Sequence, residues 1–262
     1  MSTSVETLIA VKKPSLFWLA TETGRALFEW STNIPFRFLD RHKKGSGDGH
    51  PVLLLPGFMA TDSSNKPLKK YLKKLGYDAH GWEIGRNFAK VEYIELLINR
   101  IRELHEESGM KVSLIGWSLG GIYARQIAKE VPDLIRQVIT MGSPFAGVTE
   151  QNNARWLHNI ITVGKGTQNV DPKLLADIPV PPKVPFTAIY TKQDGIVPWE
   201  VCYEKCESPL IQNIEVRGSH LGLGVNPTVL NIIADRLSYR EENWQPFEPE
   251  NVLTDVLFYP SL

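Results

Sequence analysis

Five short runs rich in apolar and β-branched residues, separated by helical stretches, restrict this chain more than any other feature. They lie at 51–55, 111–115, 135–141, 185–190 and 211–216. Runs of this kind have no polar face to show water, so they read as strands of a parallel sheet covered on both sides. The intervening patterns supply the covers. A helix is expected near Lys66 to Leu75, then a short segment from Tyr77 to Trp82. A long amphipathic helix follows, carrying Val91, Ile94, Leu97, Ile98, Ile101 and Leu104 and ended by Ser108-Gly109. Further helical patterns fall over Leu119 to Val131 and near Pro198 to Cys206. The expected fold class is α/β, and ligands of such sheets bind beyond the carboxyl ends of the strands.

Those ends hold the chemistry. The second run leads straight into Gly116-Trp117-Ser118-Leu119-Gly120-Gly121, and a helix starts at once. A chain that reverses from strand to helix within so few residues holds its serine at the tip of the turn, and small neighbours prevent clashes. Amides opening the helix point at the same place, where they can stabilise negative charge. After the first run comes Leu55-Pro56-Gly57-Phe58-Met59, which aims the Phe58 amide toward the site beside that of Leu119. Two such donors form an oxyanion hole, worth about 3–4 kcal/mol each.

Asp194 follows the run that ends at Tyr190, and His220 follows the last run within Gly218-Ser219-His220-Leu221-Gly222. Each piece alone also suits an ordinary turn: Pro56-Gly57 and Asp194-Gly195 are common turn pairs. Their order decides the reading. Ser118, Asp194 and His220 are 76 and then 26 residues apart (194−118, 220−194), and none of the other five histidines follows the acid. Serine, acid, histidine is the chain order of one architecture among those that carry this triad.

With these residues in hand, the chain resembles the α/β-hydrolase superfamily, and within it the bacterial lipase and esterase branch. The motifs carrying the resemblance are Leu54-Leu55-Pro56-Gly57-Phe58, the 116–121 elbow, Met141-Gly142-Ser143-Pro144-Phe145-Ala146-Gly147, Asp194-Gly195-Ile196-Val197-Pro198 and Gly218-Ser219-His220. Phe145 stands where many lipases have a histidine. The resemblance spans roughly residues 50–240 and implies a mostly parallel sheet of about six strands, without the first two of the full superfamily sheet. It further implies a small cap near 147–184, where Trp156, Leu157, Ile160 and Ile161 suit a short apolar helix over the site. The domain organisation expected is an arm and polar linker (1–49), a catalytic domain (50–240) and a C-terminal tail (241–262).

The activity expected is hydrolysis of carboxylic esters through an acyl-enzyme, with an apolar acyl or lipid-like substrate. Met59, Trp117, Phe145, Ile196, Val197 and Leu221 flank the motifs and are expected to line the pocket, although each would serve equally well in the core. An acyltransferase using the same triad, or a non-catalytic binding protein on this fold, remains open. No metal or other cofactor is required. With 29 basic and 29 acidic residues the chain shows no footprint for nucleic acid. Cys202 and Cys206 fall one helical turn apart without zinc-type partners, so reduced thiols and a cytoplasmic setting are expected.

No leader pattern or stretch of ~20 apolar residues occurs. Ser15 to Trp30 puts Leu16, Leu19, Ala20, Thr23, Leu27 and Trp30 on one helical face and adds Phe17, Trp18 and Phe28. Such a helix suits a lipid surface, a cover over the site, or packing on its own domain. The lack of a dense Lys/Arg stripe favours packing.

Overall fold

A computed structural model describes residues 13–36, 47–146, 171–248 and residue 260. Six parallel strands form one sheet: β1 (Pro51–Leu55), β2 (Asp78–Gly81), β3 (Val112–Trp117), β4 (Ile135–Met141), β5 (Phe186–Tyr190) and β6 (Ile211–Glu215). Their order is β2-β1-β3-β4-β5-β6. The helices are α1 (Leu16–Phe36), α2 (Asp62–Leu75), α3 (Tyr93–Ser108), α4 (Leu119–Glu130), α5 (Pro172–Asp177) and α6 (Pro227–Ser238).

Alternate residues of the strands point to opposite faces, and both faces are apolar. Val52, Leu54, Ile115, Ile139, Ile189 and Ile214 pack with α2 and α6. Leu53, Leu55, Leu114, Val138, Phe186 and Ala188 pack with α3 and α4. The expected doubly covered parallel sheet of about six strands is what the chain forms. Because β1 is followed by β2 on one side and β3 on the other, the winding reverses between β1 and β3. Crevices at such reversals are where α/β sheets bind ligands.

Element ends follow local chemistry. The helix expected from Lys66 begins at Asp62, because the Thr61 side chain accepts from the Ser63 amide and caps it. Gly76 and Gly109 close α2 and α3 in left-handed conformations. The stretch 198–206 corrects the sequence reading. It makes only one 3-10 turn, Trp199–Val201, so Cys202 and Cys206 do not share a helix. Beyond that turn, Asn213 holds both the amide and the carbonyl of Glu204 and pulls the chain from a helical path. Both cysteines are free thiols; Cys202 is buried, which pushes its pKa well up. In the tail, Phe247 is buried in the core and its backbone pairs with the Gln212 side chain. The expected cap helix at 156–161 lies outside the described residues. No helix among those described is long and apolar enough to cross a membrane.

Candidate active site

The sharpest feature is the turn after β3. Ser118 has φ 51° and ψ −120°, a conformation that L-residues avoid and that costs about 1–3 kcal/mol. The surroundings enforce it. The Ser118 amide donates to the Met141 carbonyl at 2.8 Å, tying the turn to the end of β4. A Cβ on Gly116 would lie 2.3 Å from the Gly121 Cα, and one on Gly120 would lie 2.1 Å from the Leu55 carbonyl oxygen. Both glycines are therefore demanded by backbone-to-backbone approach, which explains their spacing around the serine.

The loop after β1 comes up to the same turn. A Cβ on Gly57 would sit 3.3 Å from Ser118 Cβ. Neither the Phe58 amide nor that of Leu119, the first residue of α4, has a backbone partner among the described residues. Asn87 shapes this loop, and sequence reasoning missed it. Its side chain donates to Pro56 O at 2.8 Å and its carbonyl accepts from Met59 N at 2.8 Å, while its own amide donates to Ala60 O. Asn87 is fully buried, and Met59 holds a positive φ of 59°.

Asp194 and His220 meet across the ends of β5 and β6. His220 Nδ1 lies 2.6 Å from Asp194 Oδ2, with both residues buried. The other oxygen, Oδ1, accepts from the Ile196 and Val197 amides at 2.8 and 2.7 Å, which fixes the carboxylate plane. The imidazole rests on Gly142, where a Cβ would come within 3.0 Å of Nδ1. Trp117, immediately before Ser118, donates from Nε1 to His220 O at 3.2 Å. The elbow and the histidine loop are thus linked directly through Trp117 and through the turn after β4.

The expected wall residues divide. Met59 and Leu221 are exposed, and Trp117 and Ile196 are partly buried. Phe145 and Val197 have no exposed surface, so neither offers a wall in this conformation. Phe145 packs edge-on against Phe186 and beneath the guanidinium of Arg125, 3.9 Å from the ring centre, while Val197 packs with Tyr190, Val201 and Cys202. Among the described residues no cluster of His, Cys, Asp and Glu could hold a metal ion.

The structure is similar to lipase B of Aspergillus fumigatus, with a TM-score of 0.59 and 18% identity over 82% of this chain and 58% of that one. It is also similar to a metagenome-derived lipolytic enzyme from work on LipS and LipT (TM-score 0.53, 16% identity, 72% of this chain, 92% of that one). A monoacylglycerol lipase of Paleococcus ferrophilus gives a TM-score of 0.51 at 17% identity, over 72% and 96%. The chain has the α/β-hydrolase fold. A family model for the PGAP1-like alpha/beta domain matches residues 78–169, from β2 through the elbow and past β4. No curated protein matches in sequence. Within the α/β-hydrolase fold, Ser118, Asp194 and His220 follow β3, β5 and β6, all at the carboxyl edge of the parallel sheet.

Proposed function

We propose that the protein is a serine hydrolase that cleaves apolar carboxylic esters. The observation that carries this reading is the 2.6 Å contact of Asp194 with His220 Nδ1, at the strand edge where the strained turn presents Ser118. With Nδ1–H donated to Asp194, Nε2 is left as the basic nitrogen. It takes the hydroxyl proton of Ser118 as Oγ attacks the ester carbonyl, and Asp194 stabilises the imidazolium that forms. The Phe58 and Leu119 amides receive the oxyanion. The proton then passes to the leaving alcohol, and water releases the acid in a second round of the same chemistry.

Substrate class follows from the rim. Met59 and Leu221 present exposed apolar surface beside these groups, which suits an acyl chain better than a charged group. The outward face of α1 continues this theme. Phe17, Leu27, Phe28 and Trp30 are exposed there, which supports esters met at a lipid surface. Sedimentation with phosphatidylcholine vesicles tests that contact. Binding by the wild type should weaken in Phe28→Ser/Trp30→Ser, and equal binding by both removes it.

The deciding experiment is labelling with a fluorophosphonate probe. Wild type should label, and Ser118→Ala and His220→Ala should not. A folded wild type that resists labelling would overturn the reading. Turnover of an ester panel with and without added alcohols then separates hydrolysis from acyl transfer.

A further inference from the structure

Helix α1 is inverted relative to an ordinary surface helix. Its charged residues are Glu22, Arg25 and Glu29. At 100° per residue these three fall within a narrow arc. Glu22 and Glu29 are buried, while Leu16, Phe17, Leu27 and Trp30 on the opposite side are exposed. Burying a carboxylate is costly unless strong donors occupy its oxygens. Here the donors are backbone amides of two particular loops.

Glu22 Oε2 accepts from the Gly195 amide at 3.1 Å, and Oε1 accepts from the Leu221 amide at 2.8 Å. Gly195 directly follows Asp194, and Leu221 directly follows His220. One carboxylate therefore bridges the neighbours of both halves of the 2.6 Å pair. Glu29 adds a second anchor: Oε1 accepts from the Ser219 amide at 2.7 Å, immediately before His220, and Oε2 accepts from Asn226 Nδ2. Arg25 pairs with Glu22 at 2.8 Å and donates to Gly218 O at 3.1 Å.

The loops are shaped to receive the helix. A Cβ on Gly195 would lie 2.6 Å from the Leu19 amide nitrogen, and one on Gly222 would lie 2.0 Å from Glu29 Oε2. Glycine at 195 is a requirement of this backbone approach, and at 222 it leaves room for the Glu29 carboxylate.

We propose that Glu22 is a positioning residue, which sets the Asp194–His220 geometry by holding the amides that flank the two side chains, with Glu29 as its second point of hold. This rests on the hydrolase reading for its effect on turnover. The geometric effect stands apart from that reading, and the test separates the two. Full-length wild type, Glu22→Ala and Glu22→Gln are compared by two measurements. The first is the low-field proton resonance of His220 Nδ1–H, assigned by its absence in His220→Ala. The short hydrogen bond between His50 and Asp48, at the far end of the sheet, supplies an internal reference for the intact fold.

The second measurement is fluorophosphonate labelling rate, with kcat and KM for an ester. Glu22→Ala should keep the His50 resonance, lose or displace that of His220, and label about 100-fold more slowly, with kcat falling more than KM rises. Glu22→Gln keeps the volume, yet its carboxamide can accept only one of the two amides and turns an N–H toward the other, so an intermediate loss is expected. This variant decides the matter if the alanine variant does not fold. A folded variant with the wild-type His220 resonance and labelling rate would overturn the proposal. A His220 resonance that responds to Glu22 in a wild type that never labels would sustain the clamp and remove the hydrolase reading.

Discussion

Single side chains carry most of what distinguishes this site from a generic turn. Asp194 spends one oxygen on two loop amides and the other on His220, so Asp194→Asn should fold normally. It would present the wrong partner to Nδ1 and lower ester turnover by about 10⁴-fold, which steady-state kinetics checks. Asn87 is a second case. Its carboxamide and backbone hold Pro56, Met59 and Ala60, so Asn87→Ala should cost about 10- to 100-fold in kcat while leaving the fluorophosphonate site present. The placement of Ser118, Asp194 and His220 at the carboxyl ends of β3, β5 and β6 was legible because motif and chain order mark it independently of any contact. Asn87, Glu22 and Glu29 were not. Each is a lone polar residue whose meaning comes from backbone groups that lie 27 to 199 positions away in the chain (87−60 and 221−22). Phe145 and Val197, which the sequence left open between pocket wall and core, lie in the core, since nearness to a motif says nothing about which way a side chain turns.

At the scale of elements, periodicity located five of the six strands and the covering helices α2, α3 and α4, and Ser108-Gly109 marked the end of α3; β2 fell in a segment read only as short, and α6 was not read. Periodicity failed where tertiary hydrogen bonds outbid local preference. The run from Trp199 to Cys206 has helical spacing, but Asn213 captures Glu204, whose carboxylate is then held by Arg125 of α4 at 2.9 Å. Both members of this ion pair are buried, and Arg125 also lies over Phe145 and Phe186. Burial brings the guanidinium pKa down to about 10, so it stays charged at neutral pH. Removing only one partner leaves an uncompensated buried charge. Glu204→Ala should therefore destabilise the fold by about 3–5 kcal/mol, whereas Arg125→Met/Glu204→Leu should cost much less. Urea unfolding of the two variants measures the difference.

Across the whole molecule, the two ends of the sheet carry similar residue types. At the amino end, His50 Nε2 lies 2.8 Å from Ser113 Oγ and Nδ1 lies 2.5 Å from Asp48, which also pairs with Arg136. His50 and Ser113 have no exposed surface, so this serine, histidine and aspartate form a structural pin. Burial, with the charge of Arg136, brings the His50 pKa down to about 4 despite the pull of Asp48. A histidine held neutral in the fold takes up its proton on unfolding. Its contribution is present above pH 6.5 and is lost as pH falls toward 4, amounting to about 3 kcal/mol at most. Urea midpoints at pH 7 and pH 5 should differ accordingly, and His50→Gln should flatten that slope. The inverted helix bears on the molecule as a whole in another way. A chain shortened to begin after Phe36 would retain every motif residue and all six strands, and would still leave the Gly195, Ser219 and Leu221 amides without their acceptors. If Glu22 positions the Asp194–His220 pair as proposed, such a chain would carry a complete set of signature residues without the geometry they need.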